Sequence, residues 1–166
     1  YHSGDDAALD AAFAKAAHVT RLDIVNTRLA VVAMEPRAAL ASYDRKTQRF
    51  TIKVPTQGVA GNRTSLAKTL NVPNDKVHLL THHVGGSFGM KSANYPEYIC
   101  ILHAARELGR VVKWTDERST SFLSDSHGRA QDVTCELALA SDGMFLGVRV
   151  RGTGNLGAYI TGVAPL

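Results

Sequence analysis

Gly85, Gly86 and Gly89 stand in the run Val84-Gly85-Gly86-Ser87-Phe88-Gly89-Met90-Lys91, directly after the strand-like segment Lys76 to His83. Residues without Cβ atoms, placed where a chain leaves a strand, let backbone N–H groups turn toward a ligand that side chains would otherwise exclude. A bulky, anionic cofactor suits such a loop; so does a plain turn from strand to helix. Two familiar nucleotide motifs do not fit. The phosphate-cradling loop needs Gly immediately before Lys, where Met90 precedes Lys91. The dinucleotide fingerprint spaces its glycines as G-x-G-x-x-G, not G-G-x-x-G. A second candidate stretch, Pro55-Thr56-Gln57, closes the preceding strand-rich section.

The elements that must position these stretches can be read in order. Asp5-Asp6 can cap an Ala-rich helix from Ala7 to Ala17 whose apolar stripe is Leu9 and Phe13, so its stability must come from docking. Val19 to Leu29 alternates as a half-buried strand, with Leu22 and Ile24 inward and Arg21 and Asp23 outward. Met34-Glu35-Pro36-Arg37 is a loop, in which Glu35 and Arg37 read as an anchoring ion pair with an active-site pair as the alternative. Ala38 to Tyr43 and Phe50 to Val54 form a hairpin across Asp44-Arg45-Lys46-Thr47, and its second arm delivers Thr56 and Gln57.

Arg63 to Leu70 reads as a short helix capped by Asn62, with Leu66 and Leu70 on one side, ended by Asn71-Val72-Pro73-Asn74. A stronger helix begins at Asn94 as cap, with Pro96 and Glu97 in its first turn. Its apolar face is Tyr98, Ile99, Leu102, Ala105 and Leu108, and Gly109 ends it. Val111 to Trp114 is a strand followed by a polar stretch from Asp116 to Arg129. The Ser, Asp and His of Ser124 to His127 sit too close in sequence for a hydrolytic triad and read as loop hydrogen-bonding residues. Asp132 to Ala140 and Met144 to Thr153 form a long hairpin over Ser141-Asp142-Gly143. The expected fold is α+β: hairpins and a mixed sheet packed with two to three helices.

Length and composition bound the function. At 166 residues, 45% hydrophobic and 20% charged, the chain is a globular domain of ordinary size. No run approaches the length of a membrane span and no export signal is evident, so a cytoplasmic location is expected. The net charge of +4 is spread over single Lys and Arg residues without an aromatic-interleaved stripe, which argues against nucleic acid. Cys100 and Cys135 lack C-x-x-C spacing and read as reduced, buried small apolar residues, not cluster or zinc ligands. Among the seven histidines, adjacent His82 and His83 would face opposite sides of a strand, and His18, His78, His103 and His127 show no ligand spacing. A protein-ligated zinc or iron site is not expected; a metal held through an organic cofactor stays open.

Several ordered motifs together resemble one family. Thr56-Gln57 followed by a helix, Leu70-Asn71-Val72-Pro73, a strand, and Gly85 to Lys91 resemble the molybdenum hydroxylases: xanthine dehydrogenase, aldehyde oxidase and carbon monoxide dehydrogenase large chains. Met34-Glu35-Pro36-Arg37, Asp116-Glu117-Arg118-Ser119, Ser124 to Arg129 and Asn155-Leu156-Gly157-Ala158-Tyr159 look most like the carbon monoxide dehydrogenase type, and the resemblance covers roughly residue 2 to the end. It implies that residues 1–166 are the N-terminal part of a molybdopterin-binding domain in a longer chain, whose pterin carries a dinucleotide extension.

By this resemblance Gln57 donates its side-chain amide to an oxygen ligand of molybdenum and the Phe88 backbone amide points at the oxo group. Gly85, Gly86 and Gly89 belong to the cofactor-binding loop, Gly86 and Gly89 letting the pterin approach. It further implies a small-molecule substrate, iron–sulfur and FAD partners on other chains or domains, catalytic residues beyond position 166, and an isolated chain that does not turn over. A different class of protein, a non-enzymatic interaction module with a basic surface, is the alternative.

Overall fold

The computed structural model describes residues 1–158; Tyr159 of the last motif and the closing run Ala164-Pro165-Leu166 lie outside the described residues. In chain order the elements are α1 (Asp6–Lys15), β1 (His18–Asn26), β2 (Ala38–Asp44), β3 (Arg49–Lys53), α2 (Val59–Leu70), β4 (Val77–Leu80), α3 (Pro96–Leu108), β5 (Val112–Thr115), α4 (Arg118–Ser124), β6 (Gln131–Leu139) and β7 (Phe145–Gly154). The fold is α+β. It divides into two compact units, one holding Tyr1–Leu29 with the chain from Arg129 onward, the other Ala30–Gly128.

In the first unit β1, β6 and β7 make an antiparallel sheet, with Leu22 opposite Cys135 and Cys135 opposite Val150. Asp5 caps α1 by accepting from the Ala8 N–H at 3.0 Å. As the short apolar stripe required, α1 docks on β7, so closely that a Cβ on Gly147 would lie 2.9 Å from Leu9 Cδ1. The guanidinium of Arg149 stacks over Phe13 at 4.4 Å.

Strand β1 forms, but its inward face is not half-buried: Leu22 is 57% and Ile24 40% exposed. Alternation marks one face of a strand as apolar; it does not supply an element to cover it. Cys135 is only half-buried and Cys100 exposed, against expectation. Cys100 lies on α3, whose buried residues are Tyr98, Ile101, Leu102 and Ala105.

In the second unit the sheet order is β4-β3-β2-β5, and β3 and β4 are its parallel pair. Helix α2 is the crossover between those two strands. The core forms where Leu66 and Ala67 of α2 and Tyr98, Leu102 and Ala105 of α3 bury with Ala39, Ala41, Phe50, Ile52, Val77 and Leu79. Fully burying a side chain such as Leu102 contributes about 1.5–3 kcal/mol.

Several boundaries differ from the sequence expectation. Strand β4 stops at Leu80 because β3 ends at Lys53, its last partner in register, so Thr81, His82 and His83 have left the strand. Helix α2 starts at Val59 with Gly58 as its cap, and Asn62 sits buried inside it. A helix opening on Val-Ala-Gly carries no start signal, which is why Asn62 looked like one. Asn94 is not the cap of α3; that position is Tyr95, and the Asn94 amide donates to the Asn62 carbonyl at 2.9 Å. Leu108, in the last turn, is exposed. The polar stretch after β5 contains a fourth helix, α4, whose one buried residue is Ser121. Polar ties hold it in place of an apolar stripe: the Ser121 hydroxyl donates to Asp116 Oδ2 at 2.8 Å.

Candidate functional site

Neighbouring parallel strands release their chains at the same edge of a sheet, and that edge is where ligands settle in such folds. Strands β3 and β4 therefore carry Pro55-Thr56-Gln57 and the glycine run to one place. Val54 N–H still donates to the Leu80 carbonyl at 3.0 Å, and beyond it the two segments separate into loops that meet again at Lys91. There the Gln57 N–H donates to the Lys91 carbonyl at 3.1 Å and the Thr56 hydroxyl donates to it at 2.8 Å.

Adjacent residues on an extended chain point opposite ways. Thr56 points in: it is buried, and its Oγ1 accepts from Asn62 Nδ2 at 2.5 Å. Gln57 points out. Its Oε1 accepts from the Gly89 N–H at 2.9 Å and from the Ser87 hydroxyl. Because Gly89 N–H can only donate, the carboxamide atom facing it is the oxygen, which turns Nε2 away from the loop. Among the described residues neither that nitrogen nor the backbone N–H groups of Gly86, Ser87 and Phe88 take a hydrogen-bond partner.

Positive φ at Gly86 (98°), Phe88 (52°) and Gly89 (92°) twists this backbone into the concave shape that presents successive amides. Phe88 is not a glycine and pays conformational strain for its place. Phe88 is 77% exposed. The glycines differ in what they spare. A Cβ on Gly85 would lie 2.5 Å from Glu35 Cβ, and one on Gly86 3.1 Å from the Phe88 ring, so packing within the protein already demands both. A Cβ on Gly89 would meet nothing within 4 Å. That side of the loop opens outward.

The loop is anchored from below by a charge pair. Glu35 Oε2 accepts from the Gly85 N–H at 2.9 Å and pairs with Lys91 Nζ at 2.8 Å, and Nζ also donates to the Glu35 carbonyl at 2.9 Å. Lys91 is 1% exposed, a burial that lysine tolerates only when paired. Burial pushes the Glu35 carboxyl up, but the bonds from Lys91 and Gly85 outweigh it and hold the group below its usual range.

Glu35 and Arg37 are thus not an ion pair with each other. Arg37 turns the other way, into the core, where it is fully buried. Its Nη1 and Nη2 bond the Glu97 carboxylate at 3.1 and 3.2 Å, Nε bonds Asp125 Oδ1 at 2.5 Å, and Nη2 also reaches Ser124 Oγ at 2.9 Å and Asp116 Oδ2 at 3.4 Å. The guanidinium lies 3.8 Å from the centre of the Tyr95 ring. Burial pushes the Glu97 carboxyl up, and the Arg37 bond and charge bring it below its ordinary value.

The structure therefore brings Gln57, Gly85, Gly86, Phe88 and Gly89 together at one sheet edge, and adds Ser87, Lys91 and Glu35 behind them. The sequence pattern named Glu35 only as a partner of Arg37 and gave Ser87 and Lys91 no role of their own. A serine between glycines and a lysine after a turn carry no spacing signal, and only the tertiary contact gives them a role. His82 and His83 are exposed, and among the described residues no group of three or more His, Cys, Asp or Glu is placed to hold a metal.

Amides without partners, at Gln57 Nε2 and along Gly86 to Phe88, thus stand together on a mixed sheet beside the open space at Gly89. The chain belongs to the molybdopterin cofactor-binding domain family, whose model matches residues 1–166. It is 39% identical over 158 residues to the 6-hydroxypseudooxynicotine dehydrogenase complex subunit gamma of Paenarthrobacter nicotinovorans, covering 95% of this chain and 20% of that one. It is 32% identical over 157 residues to the carbon monoxide dehydrogenase large chain of Hydrogenophaga pseudoflava, with the same coverages. Among solved structures it resembles reconstituted CO dehydrogenase from Oligotropha carboxidovorans, with a TM-score of 0.78 and 32% identity over 91% of this chain and 19% of that chain. The chain spans about a fifth of the length of these relatives. No helix among the described residues is long and apolar enough to cross a membrane.

Proposed function

We propose that residues 1–166 are the N-terminal part of the molybdenum-binding region of a longer large chain, and that the parent hydroxylates a carbon centre or oxidises carbon monoxide. One observation carries the reading: the Gln57 carboxamide is bonded to the glycine loop through Gly89 N–H at 2.9 Å, so side chain 57 and backbone 88 stand on one wall. The unpaired donors at Gln57 Nε2 and at the backbone of Gly86 to Phe88, with the open space at Gly89, fit an oxygen-rich anionic group.

When bound, a molybdopterin would supply the redox chemistry, with water as oxygen source. The chain's own residues hold and orient it. Gln57 Nε2 would donate to one oxygen ligand and Phe88 N–H to another, each worth about 1–3 kcal/mol. Neither donor titrates, and both are fixed before anything binds, so they stabilise negative charge without reorganising. Gly86 and Gly89 keep side chains out of the approach, while Gly85 ties the loop to Glu35. Iron–sulfur and flavin groups on partner chains or domains would supply the route for electrons. The proton-transferring group and the substrate-facing loops belong to the part of the parent beyond Leu166, and the isolated chain is inactive.

Metal analysis of the purified full-length parent tests the reading. Molybdenum together with oxidised-pterin fluorescence is expected, and a well-folded parent with neither would overturn it. Sustained turnover by the isolated chain, with aldehydes, purines, N-heterocycles or carbon monoxide against an artificial acceptor, would refute its inactivity.

A further inference from the structure

We propose that Ser87 is a positioning residue: its hydroxyl sets which way the Gln57 carboxamide faces, so that the nitrogen and not the oxygen is presented to the cofactor. The proposal rests on the reading that this wall holds molybdopterin.

Ser87 is buried, and its hydroxyl has a fixed job on each side. Its oxygen accepts from the Lys91 N–H at 3.0 Å, and its single proton goes to Gln57 Oε1. Gln57 itself is exposed, so packing does not decide its terminal torsion, which is intrinsically broad and close to two-fold. Two donors converging on Oε1, from Ser87 and Gly89, make the two senses of the amide unequal. In the reversed sense the NH2 group would face the Gly89 N–H, donor against donor, and the carbonyl oxygen would point outward at anionic oxygens. Without the hydroxyl only Gly89 N–H remains to enforce the choice. The reversed amide then takes a larger share of the population.

Ser87 also sits on a chain of bonds that begins at the buried Lys91 backbone, whose carbonyl accepts from Thr56 and Gln57. The hydroxyl is held by backbone and not by a second mobile side chain, so it is a rigid reference for an exposed amide. Its action passes entirely through residue 57.

The test is a double-mutant cycle in the full-length, cofactor-loaded parent with Ser87→Ala, Gln57→Ala and both. Two readouts need no substrate. One is the rate of cofactor release in mild urea, followed by pterin fluorescence. The other is the Mo(V) electron paramagnetic resonance spectrum after partial reduction with dithionite. Gln57→Ala should release the cofactor roughly tenfold faster, the effect of losing one hydrogen bond to a charged group, and change the spectrum. Ser87→Ala should give a several-fold faster release and a spectral change in the same direction, with thermal stability within a degree or two of the parent. The double variant should match Gln57→Ala alone. Ser87→Cys, whose thiol is a weaker donor, should fall between parent and Ser87→Ala, and carries the test if the alanine variant does not fold.

If Gln57→Ala is impaired while Ser87→Ala behaves like the parent, or if the two defects multiply in the double variant, Ser87 does not act through Gln57 and the proposal falls while the cofactor reading stands. If Gln57→Ala itself leaves both readouts unchanged, the cofactor reading falls and takes the proposal with it.

Discussion

Two polar clusters lie in the same unit, and they are built in opposite ways. Around Arg37, every guanidinium nitrogen is bonded to a carboxylate or hydroxyl, the ring of Tyr95 closes one face, and the arginine itself is fully buried, with Asp125 Oδ2 left without a partner among the described residues. Around Gln57, one end of each group is bonded to protein while the other end is not: Oε1 is held and Nε2 is unpaired, and Gly89 N–H is used while Phe88 N–H is unpaired among the described residues. A charge cluster whose buried cation is bonded at every nitrogen stabilises a fold. A neutral cluster that leaves donors over is ready for something else. Both arise from motifs that the sequence resemblance picked out, so the motif alone does not separate scaffold from site; the count of unpaired donors does.

Breaking the contrast at its closed end should have the largest effect. Arg37→Met leaves Glu97, Asp116 and Asp125 without their cation and should destabilise the unit by about 3–5 kcal/mol, seen as faster hydrogen exchange across α3 and β2 in the parent. If protection there is retained, the cluster is not structural. Gly85→Ala comes next, because the new Cβ would press on Glu35 at 2.5 Å, and should cost about 1–3 kcal/mol and unseat Lys91. Gly89→Ala adds its methyl into open space and suffers chiefly from its φ of 92°. It should slow cofactor loading far more than it lowers thermal stability, and the reverse order would mean that the open side of the loop is not the ligand side. Gln57→Ala should leave thermal stability within about 0.5 kcal/mol, as surface changes do, while lowering turnover of the parent.

The smallest expected effect is acid sensitivity of the loop. Glu35 is held below its usual range, so the stability it contributes is present above the ordinary carboxylate value and is lost as pH falls through its lowered folded value. Protonation would weaken its hold on Lys91 and on Gly85 N–H. Cofactor release should therefore quicken toward strongly acid pH, and Glu35→Gln should flatten that part of the profile. An unchanged profile in the variant would assign the acid step to Glu97 or elsewhere.

Much of the fold was legible because hairpins and amphipathic helices advertise themselves. Asp44-Arg45-Lys46-Thr47 and Ser141-Asp142-Gly143 turn where their composition says, and Pro96 and Gly109 bracket α3. Helix α4 was not legible, since Ser121 buries through Asp116 and not through an apolar stripe. The partner of Arg37 was missed for a related reason: Glu35 is two residues away and Glu97 sixty, and local spacing favours the near carboxylate. Gln57 and the glycines could be named from the sequence by resemblance; Ser87 could not, because its role exists only once β3 and β4 lie side by side.

That parallel pairing also separates what can vary from what cannot. The span between Gln57 and Gly89 is set by the hydrogen-bonded strands beneath them and not by the length of the crossover, so α2 could gain or lose a turn while the two donors keep their spacing. One residue inserted between Lys53 and Gln57 would instead exchange the buried and displayed positions, turning the glutamine inward and the threonine out. Drift among relatives can be absorbed in the helix but not in the four-residue step that follows the strand.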